Sequence, residues 1–494
     1  MSRDRLKADL PILAALMAAF LATQFPSLFR EAPGLDEDLY AVPGLMVART
    51  GVPTIPYLPT RDPATFYQGA DIALYTLPPL SFYAQAPFYL VLPPGIGPAR
   101  LASVAAGLLA VGVVYGLGVI WGLSSRGALL GSAAYLFSRP FFFPAVMARP
   151  DMLTAAMGLL AMACLARPES PRPIASGFFA GLSMLSHPYG IVVGAQGAGR
   201  LLFLPGTVWG RAGRLIRFGL AALAGLALWI PLIALHPDLF RRQFGGNVMG
   251  RAGTGLGATL LNPLPALAFQ FHQLLDRAGA PALVLAIVAG LFLLFQARRP
   301  GPIRELAYHV IASLVLLILF MGHHPMLGYF AYPAAFAAIA IGLMLDAIAS
   351  RIGGRVGTVV VASVLMGVLI PGGGLKRTLA NYRHWGDPAY DPRVLARQIE
   401  ADLPTERVVA VDAPMVLAFY LDGRPVIHAL YVDFLDVPYE YVVMGRRGFD
   451  RAPFGPDDVE FVRSYGDEGD PFAPYAEVWR RKDAVSRLGG PVPE

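Results

Sequence analysis

Eleven apolar runs near the length a helix needs to cross a hydrocarbon core constrain this 494-residue chain more than any other feature. They are Leu10 to Phe29, Ala99 to Trp121, Gly127 to Met147, Met152 to Ala166, Ile174 to Ser186, Tyr189 to Leu204, Phe218 to Leu235, Ala280 to Gln296, Leu306 to Met321, Gly328 to Ile348 and Val356 to Ile370. Only 15% of residues are charged, against roughly 25% in a soluble domain, which excludes a soluble cytosolic enzyme. The segment Ile72 to Leu92 is also apolar, but Pro78, Pro79 and Pro87 each remove a backbone donor that lipid cannot replace. It is expected to lie along the outer interface.

Charge divides the chain. Lys376 to Glu494 holds 15 basic and 20 acidic residues, whereas the preceding part holds 25 basic and 14 acidic. The boundary therefore falls between a membrane region, 1–375, with a first outer loop of about 30–98, and a soluble C-terminal domain, 376–494. Short cytoplasmic loops are rich in arginine and lysine. With the N-terminus inside, the inner loops carry Arg3, Arg5 and Lys7; Arg126; Arg167 and Arg172; Arg211, Arg214 and Arg217; Arg298, Arg299 and Arg304; Arg351 and Arg355. The longer outer loops hold fewer: Arg30, Arg49, Arg61, Arg149, Arg241, Arg242, Arg251 and Arg277. This parity puts the tail outside and reads the first apolar run as a retained helix, since no small-residue cleavage signature follows it. The Ala, Gly, Arg and Pro bias is that of a GC-rich bacterial chain, so the expected location is a bacterial cytoplasmic (inner) membrane.

The expected fold class is an α-helical polytopic membrane protein of about 11 transmembrane helices, with interfacial helices in the first outer loop and a small C-terminal α/β domain. In the tail, Arg407 to Asp412, Pro425 to Ala429, Tyr439 to Met444 and Ala476 to Arg480 are strand-like, and Met415 to Leu421 suits a short helix. Cys164 is the only cysteine, so neither an intramolecular disulfide nor a cysteine metal cluster is available. The arginines are scattered singly, without the basic block of a nucleic-acid binder.

Acidic residues beside apolar runs are rare and costly. Asp36-Glu37-Asp38, with Tyr40, follows the first run, and Arg149-Pro150-Asp151 precedes the fourth. Both acidic groups can be read as helix caps. Parity nevertheless places Asp36 and Asp151 on one membrane face, where two acidic clusters make a candidate site. His309 and Asp346 are expected to be satisfied locally near the inner side, and Arg139 to pair or snorkel. His323-His324 before Pro325 suits either an interfacial loop or a metal pair, although no third ligand has a recognisable spacing.

In order, Asp36-Glu37 with Tyr40, Ala48-Arg49-Thr50-Gly51 with Pro56, Pro78-Pro79-Leu80 with Tyr83, Ala99 to Ser103, Ala148 to Asp151, Gly181-Leu182-Ser183 before His187-Pro188, and Tyr329 to Pro333 resemble the GT-C superfamily of polytopic, lipid-linked-sugar glycosyltransferases. The branch containing protein mannosyltransferases and aminoarabinose transferases is the most similar. The resemblance runs from about Leu10 to Leu204 and again near His323 to Gly342. It departs where relatives carry Glu-Lys before Pro-Pro-Leu and this chain has Thr76-Leu77, and where His187, His323 and His324 stand in place of basic residues.

The resemblance implies inverting transfer of a sugar from a polyprenyl-phosphate donor to a glycan, lipid or protein acceptor at the outer face, in the cell envelope. Asp36 would be the general base, with Glu37 and Asp151 orienting substrates. Tyr40, Arg149, His187, His323, His324 and Tyr329 would bind substrate, and Arg241 and Arg242 are further phosphate donors. A divalent cation could sit on the carboxylates of Asp36 to Asp38. The alternatives are a polytopic transporter or flippase, which would place ionisable groups nearer the midplane, and a non-catalytic membrane scaffold whose tail binds a partner.

Overall fold

The computed structural model describes residues 3–34, 36–249, 259–298, 301–324, 327–370, 375–446, 448, 450 and 453–482. Arg251, Arg299 and Pro325 lie outside the described residues. The membrane region is built from α1 (Arg3–Arg30), α2 (Glu37–Thr50), α3 (Leu80–Val91), α4 (Ile96–Ile120), α5 (Ser125–Leu136), α6 (Arg139–Ala145), α7 (Asp151–Leu165), α8 (Pro173–Ser186) and α9 (Ile191–Phe203). Helices Val208–Ala227, Ile230–Leu235, Pro237–Phe244, Pro263–Ala278, Ala280–Gln296, Pro302–Met321, Ala331–Ile352 and Gly354–Leu369 follow.

Among the described residues, four stretches are long and apolar enough to cross a membrane: Lys7–Arg30, Ile96–Ile120, Pro302–Met321 and Gly328–Ile352. Asp151–Leu165, Pro173–Ser186, Ala280–Gln296 and Gly354–Leu369 are shorter apolar helices. Two expected continuous runs are broken. Gly127 to Met147 divides into α5 and α6 because Pro140 lacks the N–H that would continue the ladder. Phe218 to Leu235 divides at Leu228-Trp229, just before Pro231.

Glycine sets the closest helix approaches, as expected where small residues let backbones meet. A Cβ at Gly342 would stand 2.3 Å from the Gly127 carbonyl oxygen, and one at Gly177 would stand 2.1 Å from that of Phe218. Asp346 is satisfied locally, whereas His309 is only partly so, its Nε2 being buried with no hydrogen-bond partner among the described residues. Asp346 accepts from Arg126 Nε at 2.6 Å and Ser124 at 2.7 Å, and His309 is stacked between Trp121 and Phe336 with Gln196 at 2.8 Å from Nδ1.

The tail forms a five-stranded mixed sheet of β1 (Val409–Val411), β2 (Val426–His428), β3 (Tyr441–Gly445), β4 (Val459–Gly466) and β5 (Tyr475–Arg481), ordered β2-β1-β3-β5-β4. The first three strands pair in parallel and the last two antiparallel. Helix Ala413–Leu421 starts from Asp412, whose side chain accepts from the Ala413 amide, and crosses from β1 to β2. The exposed edge strand β4 was not expected from its sequence. Its outward residues Phe461 and Val462 break the alternation that marks a half-buried strand.

The tail does not close a core of its own. Val409, Val411, Phe419, Ile427 and Val443 share one buried cluster with Leu39, Val42, Leu45, Ile55 and Leu58 of the first outer loop. The Thr60 hydroxyl donates to the Phe434 carbonyl at 2.6 Å, and Arg30 lies 3.8 Å from Asp391. That shared core fixes the loop carrying the acidic triplet between the membrane helices and the sheet.

Candidate functional site

Three consecutive carboxylates open α2, Asp36 as its N-cap and Glu37 and Asp38 in its first turn, and each turns to a different partner. Helix geometry requires this, because successive positions on a helix point about 100° apart.

Asp36 occupies the N-cap position of α2 yet makes no side-chain cap hydrogen bond. Its Oδ2 instead accepts from Arg149 Nη1 at 2.8 Å, while Nε of the same guanidinium donates to Asp151 Oδ2 at 2.8 Å. Arg149 thus bridges the two acids expected to share a face. Asp36 remains 39% exposed, whereas Asp151 is fully buried and Arg149 7% exposed. The Arg149 guanidinium also lies 5.2 Å over the Tyr40 ring.

Around Asp151 the wall is aromatic. The Tyr189 hydroxyl donates to the Asp151 carbonyl at 2.7 Å, and its ring stacks on Tyr329 at 4.6 Å. The Tyr329 hydroxyl is 3.2 Å from His187 Nε2, and His187 Nδ1 accepts from the Tyr189 amide. Gly328 passes so close that a Cβ there would stand 2.6 Å from Asp151 Oδ2. Asp151 Oδ1 is buried with no hydrogen-bond partner among the described residues. An unpaired buried carboxylate oxygen is costly, which suits a group that meets a substrate donor.

Glu37 has a different task. Both its oxygens are engaged by Arg100, with Nε to Oε1 at 2.8 Å and Nη2 to Oε2 at 2.6 Å, and the amides of Gly34 and Ala148 add bonds of 2.7 Å each. Burial raises the Glu37 carboxyl, but the Arg100 charge and these hydrogen bonds outweigh it and hold the group below the ordinary carboxylate range. The clamp ties α2, α4 and the Ala148-Arg149 turn together; Ser103 of α4 donates to the Arg149 carbonyl at 3.3 Å.

Asp38 faces the tail. Its Oδ2 accepts from the Tyr57 hydroxyl at 3.1 Å and lies 3.3 Å from Nε2 of His428 on β2, a contact rather than an aligned hydrogen bond. Burial keeps its carboxyl above the usual range despite His428 and Tyr57. The three carboxylates do not converge on one point, since they turn to Arg149, Arg100 and His428. Among the described residues no three His, Cys, Asp or Glu groups gather as a metal site. The donor set does not fit a resident divalent ion, because a guanidinium stands between Asp36 and Asp151.

Asp36, Tyr40, Arg149, Asp151, His187 and Tyr329 lie in one connected cluster, with Glu37 behind them. His323 and His324 are exposed; His323 packs on Phe269, and Gln270 holds the His324 carbonyl at 2.9 Å. No described contact joins them to the Arg149 cluster. Arg241 pairs with Asp238 and Arg242 with Gln68, both at the exposed surface. Arg100, Tyr189, Gly328 and His428 were missed as site residues. Only Arg100, an ionisable residue in an apolar run, carried a readable signal.

Searches of family models and of curated proteins return no match. Solved structures do match. ArnT from Cupriavidus metallidurans bound to undecaprenyl phosphate superposes with a TM-score of 0.61 at 17% identity, covering 100% of both chains. The Archaeoglobus fulgidus oligosaccharyltransferase in complex with Zn and sulfate gives 0.55 at 13% identity, over 95% of this chain and 72% of that one. AglB from the same organism, in complex with an inhibitory peptide and a dolichol-phosphate, gives 0.52 at 13% identity over 96% and 74%. From end to end, this chain shares the overall fold of these solved structures.

Proposed function

We propose that this protein is a glycosyltransferase that moves a sugar from a polyprenyl-phosphate carrier to an acceptor hydroxyl at the outer face of a bacterial inner membrane, with inversion at the anomeric carbon. The observation that carries the proposal is the Arg149 bridge, which gathers Asp36 and Asp151 from opposite ends of the membrane region's first half beside His187 and Tyr329. The fold's likeness to an undecaprenyl-phosphate-bound ArnT and a dolichol-phosphate-bound AglB supports a lipid phosphate as the donor's carrier. The basic residues concentrated in alternate loops between the apolar runs support an outward site and an outward tail.

A phosphate leaves without being protonated, so one base suffices. Arg149 holds one oxygen of Asp36, and the other accepts the acceptor's proton as the acceptor oxygen bonds to the anomeric carbon. The bond from that carbon to the phosphate oxygen breaks with its electron pair, releasing polyprenyl phosphate. Arg149, His187 and Tyr329 supply donors on the side where negative charge develops. Asp151 orients a substrate hydroxyl through its unpaired oxygen. Glu37 acts by positioning the Ala148-Arg149 turn, and no step passes through a metal.

The test is transfer by purified protein in lipid, with radiolabelled polyprenyl-phosphate sugars as donors and membrane extract as acceptor. The expected result is transfer by wild type and its loss in Asp36→Asn. Transfer that persists in folded Asp36→Asn overturns the base assignment. A protein that moves lipid-linked sugar across vesicles without forming a new glycoside is a flippase instead.

A further inference from the structure

The tail's contact with Asp38 does more than anchor a sheet. His428 ends β2, and its Nδ1 accepts from the Leu430 amide at 3.2 Å, which caps the short helical turn Ala429–Phe434. With its Nε2 against Asp38 and its backbone amide donating to the Tyr57 carbonyl at 3.2 Å, the residue ties that turn to α2 and to the first outer loop. The turn carries Tyr431. Its ring meets Tyr67 of the first outer loop edge to face at 5.1 Å and His428 at 5.1 Å. Tyr40, on α2 one turn beyond Asp36, lies under the same Arg149 guanidinium that holds the Asp36 carboxylate. Tyr40, Tyr67 and Tyr431 are each partly exposed. Tyr67 and Tyr431 are an aromatic pair that the His428–Asp38 contact joins to the start of α2, two residues from Asp36.

Flat apolar faces edged by hydroxyls suit a sugar ring, whose C–H face packs on an aromatic ring while its hydroxyls find polar partners. We propose that the C-terminal unit completes the transfer site, with Tyr431 and Tyr67 forming a subsite for a carbohydrate ring of the acceptor and the Asp38–His428 contact holding Tyr431 in place. The proposal rests on the glycosyltransferase assignment and adds the acceptor's chemical class to it. Membrane helices then hold the carrier phosphate, and the tail holds what receives the sugar.

The experiment is saturation-transfer NMR on the full chain in nanodiscs, with a panel of methyl glycosides as probes. The expected result is saturation of ring protons of at least one glycoside with wild type and with Asp36→Asn, retained in Tyr431→Phe and in His187→Ala, and lost in Tyr431→Leu, which keeps apolar bulk without a ring. Thermal unfolding of Tyr431→Leu at the wild-type midpoint shows that the loss is local. Unchanged saturation in Tyr431→Leu, loss in His187→Ala alone, or no saturation with wild type overturns the subsite. Because saturation needs no chemistry, wild type that binds glycosides but transfers from no donor sinks the enzyme assignment and not the sugar site.

Discussion

Asp36 and Glu37 are neighbours of like charge, yet one stands 39% open beside Arg149 and the other is sealed by Arg100 and two backbone amides. A group that must exchange a proton with a substrate has to keep an oxygen accessible. One that must hold a turn in place does best when every lone pair is used. The adjacent positions thus separate chemistry from architecture, and the largest expected effects come from reversing that separation.

Asp36→Asn removes the base while keeping the shape. Loss of a positioned general base costs about 10²–10⁴-fold in rate, and transfer assays should show a fall of that order. Stability should move little, because Arg149 keeps the Asp151 carboxylate at 2.8 Å and asparagine keeps an oxygen for Nη1. A large loss of stability with transfer intact would make Asp36 a structural group and break the comparison.

Glu37→Gln should do the reverse. Leaving the Arg100 guanidinium buried without its counter-charge costs about 3–5 kcal/mol, read as a lower thermal midpoint in detergent. The pH profile supplies the sign. Because the Glu37 pKa is depressed on folding, its contribution is present above the ordinary carboxylate range and is lost as pH falls through the depressed value. Glu37→Gln should remove that part of the acid dependence.

Gly328→Ala sharpens the contrast from the far side. The new Cβ would stand 2.6 Å from Asp151 Oδ2, so the carboxylate must leave its bond to Arg149 Nε. Misplacing a catalytic group by about 1 Å costs on the order of 10²-fold, and the assay should show this fall with the fold retained. Alanine here at full rate would remove Asp151 from the site.

How much of this was legible follows from where the partners lie. Asp36, Arg149 and Asp151 could be picked out because ionisable residues next to apolar runs need a reason to be there, and parity put them on one face. The sheet strands around Val409 and Val442 were readable from their β-branched runs. Sequence could not divide the roles of Asp36, Glu37 and Asp38, since their partners stand far along the chain at Arg149, Arg100 and His428. The break between α5 and α6 was readable at Pro140, but an apolar count passes over it. The shared core of tail and first loop leaves no local trace, because its residues look like the inside of any small domain.

Asp38→Asn tests the tail-facing member of the triplet with a smaller effect. Asparagine keeps an oxygen for the Tyr57 hydroxyl, so the loss should stay within the worth of about one hydrogen bond, ~0.5–1.5 kcal/mol. The sign is opposite to that of Glu37. A raised folded pKa means the folded state holds the proton more firmly, so Asp38's contribution is present at low pH and declines as pH rises through the raised value. Thermal midpoints of Glu37→Gln and Asp38→Asn against pH should therefore depart from wild type in opposite directions. Parallel departures would mean that the two carboxylates share one role.

The smallest expected effect is none at all, and it bears on how Asp36 and Asp151 are held. In a metal-dependent transferase the two acids would be drawn together by a divalent ion. Here a guanidinium occupies that place, with one nitrogen on each carboxylate at 2.8 Å. Arginine stays charged at any working pH and presents its donors in a fixed fork, so it can neutralise and orient the pair without being loaded or removed. Transfer should be unchanged by EDTA and by added Mn²⁺ or Mg²⁺, whereas Arg149→Lys, with a single point charge, should lose it. Activity abolished by chelation and restored by a divalent ion would show that Arg149 swings away in the working enzyme, and Asp36 would then be a metal ligand before it is a base.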